Sequence, residues 1–499
     1  MNNITETVTS TQSSSGVSAN LEAVEQQIES RSEVFKKELG LKDVVLAQIL
    51  IVLGVSGLGT AGKVGPPSTV FWLLAIALFY LPLAVVVISM NRLIPLEGGI
   101  YQWAKFGFNE FIGFMVAWNT WLFVVLDISG IGLSAATAIS YAIGPRAAWI
   151  AGNKWLITLM GFALIGGMVM VSVVGLGVGK WVNNVGSIIL LGVFAALLLL
   201  PLLNLSRGTM TAGPHLQLAM PALSLVNLTI LIKISGYSLG GLEYVAIFAG
   251  ECRNPVRTLT RSVMIAAPLI ALLSILGTAS VLSFVRTEDI DLINPAAQVF
   301  SIGFKPFGIV AVIAPIGILL LLARDVAQTS CIFTGGTRLP MVAGWDHLLP
   351  EWFSRLHNKY KTPTLSIIFL GTIAFGLGLA SLIGVEQQEA YQMLESSSGI
   401  FVVSGYLPLF LIPLFGLRRE GVRFPALVKL AAVSGLTITT LFIVLNVFPI
   451  IEVKSWFSYS MKISGVIIGA ELIGAVIFLN AERKKTLAAR SLIQNGNVI

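Results

Sequence analysis

The sequence predicts an all-α polytopic membrane protein with about twelve transmembrane helices. Three observations carry that prediction. Of the 499 residues, 55% are hydrophobic and 11% charged, against roughly 25% charged in an ordinary soluble protein. Apolar runs of about 20 residues recur from Val44 to Leu479, each long enough, at about 1.5 Å per residue, to cross a hydrocarbon core roughly 30 Å thick. The net charge of +7 sits in short loops between those runs and forms no long basic stripe, so it reads as a topology signal and not as a nucleic-acid surface.

In chain order, residues 1–20 are rich in Ser, Thr and Asn and too polar to offset the entropy of ordering. Leu21 to Leu39 has helical apolar spacing with mixed charges, as expected of a solvated helix on the cytoplasmic surface. Residues 1–40 are therefore read as an N-terminal tail. The spans are expected near Val44–Ala61, Phe71–Leu93, Phe111–Ile143, Leu156–Leu176, Val185–Leu203, Leu223–Ala249, Val263–Phe284, Phe307–Phe333, Leu365–Ile383, Met393–Phe415, Leu427–Val447 and Ile463–Leu479. Residues 480–499 form a C-terminal tail. With a cytoplasmic N-terminus, about 22 Lys and Arg fall inside and about 8 outside. This bias predicts both termini to be cytoplasmic, in a multi-pass protein of the cell membrane.

The first and sixth spans depart from plain Leu, Ile, Val and Ala. One reads ILIVLGVSGLGTAG, with Gly54, Ser56, Gly57 and Gly59 mid-span; the other reads SGYSLGGLEY, with Gly236, Gly240 and Gly241. Each interior glycine costs a helix about 1 kcal/mol, so such clusters mark either unwinding or close helix contact. Unwound backbone at membrane depth needs protein or a polar cavity to satisfy it. Two interruptions five spans apart are expected of inverted repeats with a binding site at their interface, where amide dipoles face an anion and carbonyls face a cation.

Three further stretches carry a family resemblance. PLEGGIYQWAKFGFNEFIGFMVAWNTW (Pro95–Trp121), GYSLGGLEYVAIFAGECRNPVR (Gly236–Arg257) and TGGTRLPMVAGWDHLLPEWFSRLHNKYKTP (Thr334–Pro363) together resemble the amino acid, polyamine and organocation permease superfamily, in order and spacing. The resemblance covers about Leu41 to Leu479. It implies a LeuT-type fold with discontinuous helices 1 and 6, a transporter domain over 41–479, a first repeat in 41–203, an inverted second repeat in 223–416, and two peripheral helices in 427–479.

The resemblance also implies site residues. Gly54, Val55, Ser56 and Gly57 look like the unwound element that receives a substrate carboxylate, although Val55 and Ser56 depart from a strict glycine-serine-glycine. Tyr237 falls where related antiporters carry an occluding aromatic, with a locally bonded core tyrosine as the plain alternative. Gly240, Gly241 and Leu242 are expected to expose carbonyls to an ammonium group, and Glu243 matches a glutamate linked to coupling. Thr329 and Ser330 lie near where sodium-coupled relatives carry hydroxyl ligands, although such hydroxyls often bond back to their own helix.

Ionisable residues at membrane depth are functional candidates by default. They are Asp127, Lys233, Glu243, Arg324 and Asp325. Lys233 is expected to attract an acidic substrate, to pair with Asp127 or to snorkel outward. Arg324 and Asp325 are neighbours, about 100° apart on a helix, which argues that each has another partner.

Cys252 and Cys331 are too far apart in sequence for a cysteine-rich site, and His215, His347 and His357 fall in no metal-binding spacing. With no phosphate loop or nucleophile elbow either, an enzyme is not expected, nor is a cofactor or a nucleic-acid partner. The expected function is secondary active transport of an amino acid or related amine, coupled to H+ or Na+ or run as exchange. The alternative is a non-transporting sensor on the same scaffold. Beyond the lipid bilayer and the small substrate, the sequence leaves partners and oligomeric state open.

Overall fold

The computed structural model describes residues 37–209, 216–383, 386–417 and 421–494. The polar stretch 1–20, nearly all of the expected surface helix, His215, Arg418 and Arg419 lie outside the described residues. Among those described, the chain is helical throughout, with a single parallel bridge between Leu39 and Cys252.

The principal helices are α1 (Leu41–Val52), α2 (Ser56–Gly62), α3 (Ser68–Leu93), α4 (Ile100–Gly107), α5 (Glu110–Ile143), α6 (Lys154–Val174), α7 (Leu176–Ser206), α8 (Leu225–Ser238), α9 (Tyr244–Glu251), α10 (Pro255–Phe284), α11 (Pro295–Gly303), α12 (Ile313–Trp345), α13 (Thr364–Ser381), α14 (Gln387–Phe415), α15 (Ala426–Leu445) and α16 (Trp456–Gln494). Ten described helices are long and apolar enough to cross a membrane, or eleven when α1 and α2, bent by 42°, count as one span. The sixth expected span enters as the shorter α8, an irregular break and the 3-10 turn α9. Glycines at 240 and 241 divide it, and neither piece has the length of a full crossing.

Local chemistry explains the ends. Asn109, Asn153, Ser224 and Asn254 each accept a backbone N–H in the first turn of the helix that follows, satisfying donors that have no intrahelical partner. In α3 the residues Ile76–Tyr80 widen to a π turn just before Pro82, which has no N–H to donate. Helix α16 continues past residue 480, because AERKKTLAAR is made mostly of strong helix formers.

Helices α5 and α14 form the centre: 78% and 72% of their apolar stretches are buried, against 17% for α16 at the periphery. Leu159, Phe162, Met170, Leu430 and Leu472 stand exposed on the outer faces. Apolar side chains so displayed suit a hydrocarbon surround. The two interrupted segments lie inside this ring of helices.

Candidate functional site at two helix breaks

Between α1 and α2 the helical ladder stops at Leu53 (φ −78°, ψ 80°) and restarts at Ser56. The freed carbonyls find partners on α12. Arg324 Nη2 donates to the Leu53 carbonyl at 2.5 Å, and Gln328 Nε2 to that of Ile51 at 2.9 Å. Residues 324 and 328 are one turn apart and share a helix face, so one helix caps the whole break.

The second break follows a π turn at Ile234–Ser238. Gly241 has φ +101°, a conformation that side-chain-bearing residues rarely adopt. Its N–H donates to the Tyr406 hydroxyl at 2.8 Å, and that hydroxyl donates to Glu243 Oε1 at 2.9 Å. Gln48 Nε2 donates to the Leu242 carbonyl at 2.9 Å. A β-carbon on Gly57 would lie 2.6 Å from Ser238 Oγ. The two breaks are in direct contact, and glycine at 57 permits it.

A cavity of about 150 Å³ opens between them, walled by parts of α1, α2, α5, α8, α12 and α14. Of the residues singled out from sequence, Gly54, Val55, Ser56, Gly57, Asp127, Tyr237, Gly240, Gly241, Arg324, Asp325 and Thr329 line it. Leu242, Glu243, Lys233 and Ser330 do not. The Leu242 carbonyl, expected to be open to an ammonium group, is already taken by Gln48, and Glu243 lies behind Tyr406. The Ser330 carbonyl accepts the Thr334 hydroxyl at 2.9 Å.

Two charge assignments need correction. Lys233 does not pair with Asp127; it is buried against Glu395 Oε2 and Gln392 Oε1, both at 2.8 Å. Asp127 Oδ1 instead accepts the Tyr237 hydroxyl at 3.0 Å. Arg324 and Asp325 do pair with each other through Nη1 and Oδ1. The 100° between adjacent positions separates their β-carbons, but a guanidinium on a three-carbon stem reaches round that angle.

Tyr391, Tyr406, Gln328, Asn294 and Ser238 also line the cavity and were not singled out. An aromatic in an apolar span looks like core, so only the polar neighbours of Tyr391 and Tyr406 reveal them. Among the described residues no group of three or more His, Cys, Asp or Glu gathers to hold a metal. Both cysteines are buried and unpaired.

Residues 39–475, which include both breaks and every wall of the cavity, match the family model described as amino acid permease. The chain belongs to the amino acid permease family. It is a multi-pass membrane transporter rather than an enzyme. This permease is similar to the branched-chain amino acid permease BcaP of Bacillus subtilis, at 22% identity over 87% of this chain and 95% of the relative. It also resembles the probable agmatine/putrescine antiporter AguD of Lactococcus lactis, at 21% identity over 80% of this chain and 84% of the relative. An uncharacterized transporter of Legionella pneumophila, lpg1691, is 23% identical over 75% of this chain and 80% of its own length.

Proposed function

We propose that this permease is a secondary active carrier that binds an amino acid or amine between the two breaks and moves it by alternating access, as an ion-coupled symporter or an exchanger. The carrying observation is the contact of Gly57 with Ser238, which joins two interrupted segments at one polar cavity. Expected spans one to five and six to ten would form the inverted repeats of a LeuT-type fold, with twelve spans and both termini cytoplasmic. Gly54 to Gly57 would receive a carboxylate, and Tyr237 would close over the substrate.

Barriers on both sides of the cavity support alternation. At the end rich in Lys and Arg, Arg338 Nε meets Glu251 Oε1 at 2.9 Å, Gly250 N–H meets Glu97 Oε2 at 2.6 Å, and the Leu39 N–H donates to the Glu251 carbonyl at 3.0 Å. At the other end, Tyr141 donates to Asp291 at 2.7 Å, Asn294 to the Ser134 carbonyl at 3.0 Å, and Lys63 to the Glu288 carbonyl at 2.9 Å.

For coupling, a proton or exchange is favoured over sodium at Thr329 and Ser330. Arg324 and Gln328 already occupy the first-break carbonyls, and Glu243 is a buried carboxylate whose Oε2 has no hydrogen-bond partner. Uptake of labelled amino acids and amines into proteoliposomes, with imposed proton or sodium gradients, tests the reading. Saturable uptake driven by a proton gradient or by preloaded substrate is expected, and Glu243→Gln should flatten its pH dependence without impairing folding. Uptake that requires sodium, or an unchanged pH profile in Glu243→Gln, would remove this coupling scheme.

A further inference from the structure

The wall of the cavity carries three ionisable acid and base groups: Asp127, Arg324 and Asp325. Arg324 is spent twice over. One guanidinium nitrogen holds the Leu53 carbonyl at 2.5 Å and another pairs with Asp325. That pair is locally compensated. Lys233, a second basic residue buried among the helices, lies behind the wall against Glu395 and Gln392. Asp127 is left facing the cavity with a neutral tyrosine hydroxyl as its hydrogen-bond donor.

The carbonyls around the breaks sharpen the point. Those of Ile51, Leu53 and Leu242 already accept from Gln328, Arg324 and Gln48, so the backbone has less to offer a second cationic group than a bare break would. A carboxylate without a cation, at membrane depth, is costly until a positive charge arrives. Tyr237 donates to Asp127 and Tyr391 shares the wall with it; aromatic faces also attract cations.

We propose that this cavity selects a substrate of net positive charge, a basic amino acid or a diamine, and seats its cationic group at the Asp127 carboxylate. This rests on the cavity being the substrate site. An acidic amino acid would meet a wall whose formal charge is already −1 and whose one guanidinium is engaged. A neutral amino acid brings an ammonium group to Asp127 but a carboxylate with it, so wall and substrate together keep a net charge of −1, whereas one net positive charge on the substrate brings the sum to zero.

Equilibrium binding of labelled arginine, putrescine, leucine and glutamate to the purified full-length protein reads the cavity independently of transport. Arginine or putrescine should bind at least about tenfold more tightly than leucine and glutamate. Asp127→Asn should weaken that binding by about tenfold or more, the effect of losing one charge-assisted contact. Asp127→Glu should retain it, and an unchanged melting temperature and elution profile excludes misfolding as the cause. Tighter binding of leucine or glutamate, equal cation affinity in Asp127→Asn, or binding of none of the four overturns the proposal. Flux in proteoliposomes separates the two readings. Cation binding without flux leaves the selectivity standing and ends the carrier reading, whereas flux of leucine or glutamate alone keeps the carrier and ends the selectivity.

Discussion

Tyr406 satisfies two groups with one oxygen. Its hydroxyl accepts the Gly241 N–H and donates to Glu243, so it ties α14 to both sides of the second break. Removing it strands a buried donor and a buried carboxylate oxygen, each costing about 1–3 kcal/mol when unsatisfied. Tyr406→Phe is therefore expected to lower the melting temperature by several degrees and to slow transport, as read by thermal unfolding in detergent beside an uptake assay. A variant as stable and active as the parent would mean that water replaces the hydroxyl at no cost. The glycines of this break were legible in SGYSLGGLEY, because a left-handed backbone at 241 has few other occupants. Tyr406 was not, because sequence carries no register between spans six and ten. Lys233 shows the same blindness: its buried charge was evident, but choosing Glu395 over Asp127 took the packing of α8 against α14.

Among the elements, α12 serves both the site and one of its ends. Arg324 and Gln328 cap the first break from one face, while Arg338, near the other end of the same helix, holds Glu251. The helix is a single rod of 33 residues, so a shift that opens one end bears on the other. The end held by Arg338 has its own pH sensitivity. Burial, with Glu251 close by, pushes the Glu97 carboxyl well above the usual carboxylate range. The folded chain therefore holds that proton more tightly than the unfolded chain does. Stability is greatest with the group protonated and falls as pH rises from the ordinary glutamate range through the raised folded value. Glu97→Gln should flatten this decline, measured as melting temperature between about pH 5 and pH 8; an equally steep decline would assign it to another group. The stretch that opens with PLEGGIY stood out through its family resemblance, but the bond from Gly250 to Glu97 depends on contact between segments 153 residues apart.

At the scale of the whole molecule, hydropathy alone disclosed the membrane class, and the two glycine clusters disclosed where regular helix fails. Span number was harder to read, because a divided segment such as α8 and α9 has the composition of a crossing without the length of one continuous helix. The outer surface adds the apolar belt, and the interior adds a small polar cavity with hydrogen-bonded contacts on either side of it. A carrier needs these parts: a central site and two barriers that do not open together. Counterflow tests that claim most directly. Proteoliposomes loaded with a high concentration of unlabelled substrate and diluted into trace labelled substrate should show a transient overshoot of label inside, because the site returns inward loaded with the outside molecule. Label that binds to folded, reconstituted protein yet never overshoots, with arginine, putrescine, leucine and glutamate each tried, would contradict the account and leave a membrane protein that binds its ligand without carrying it.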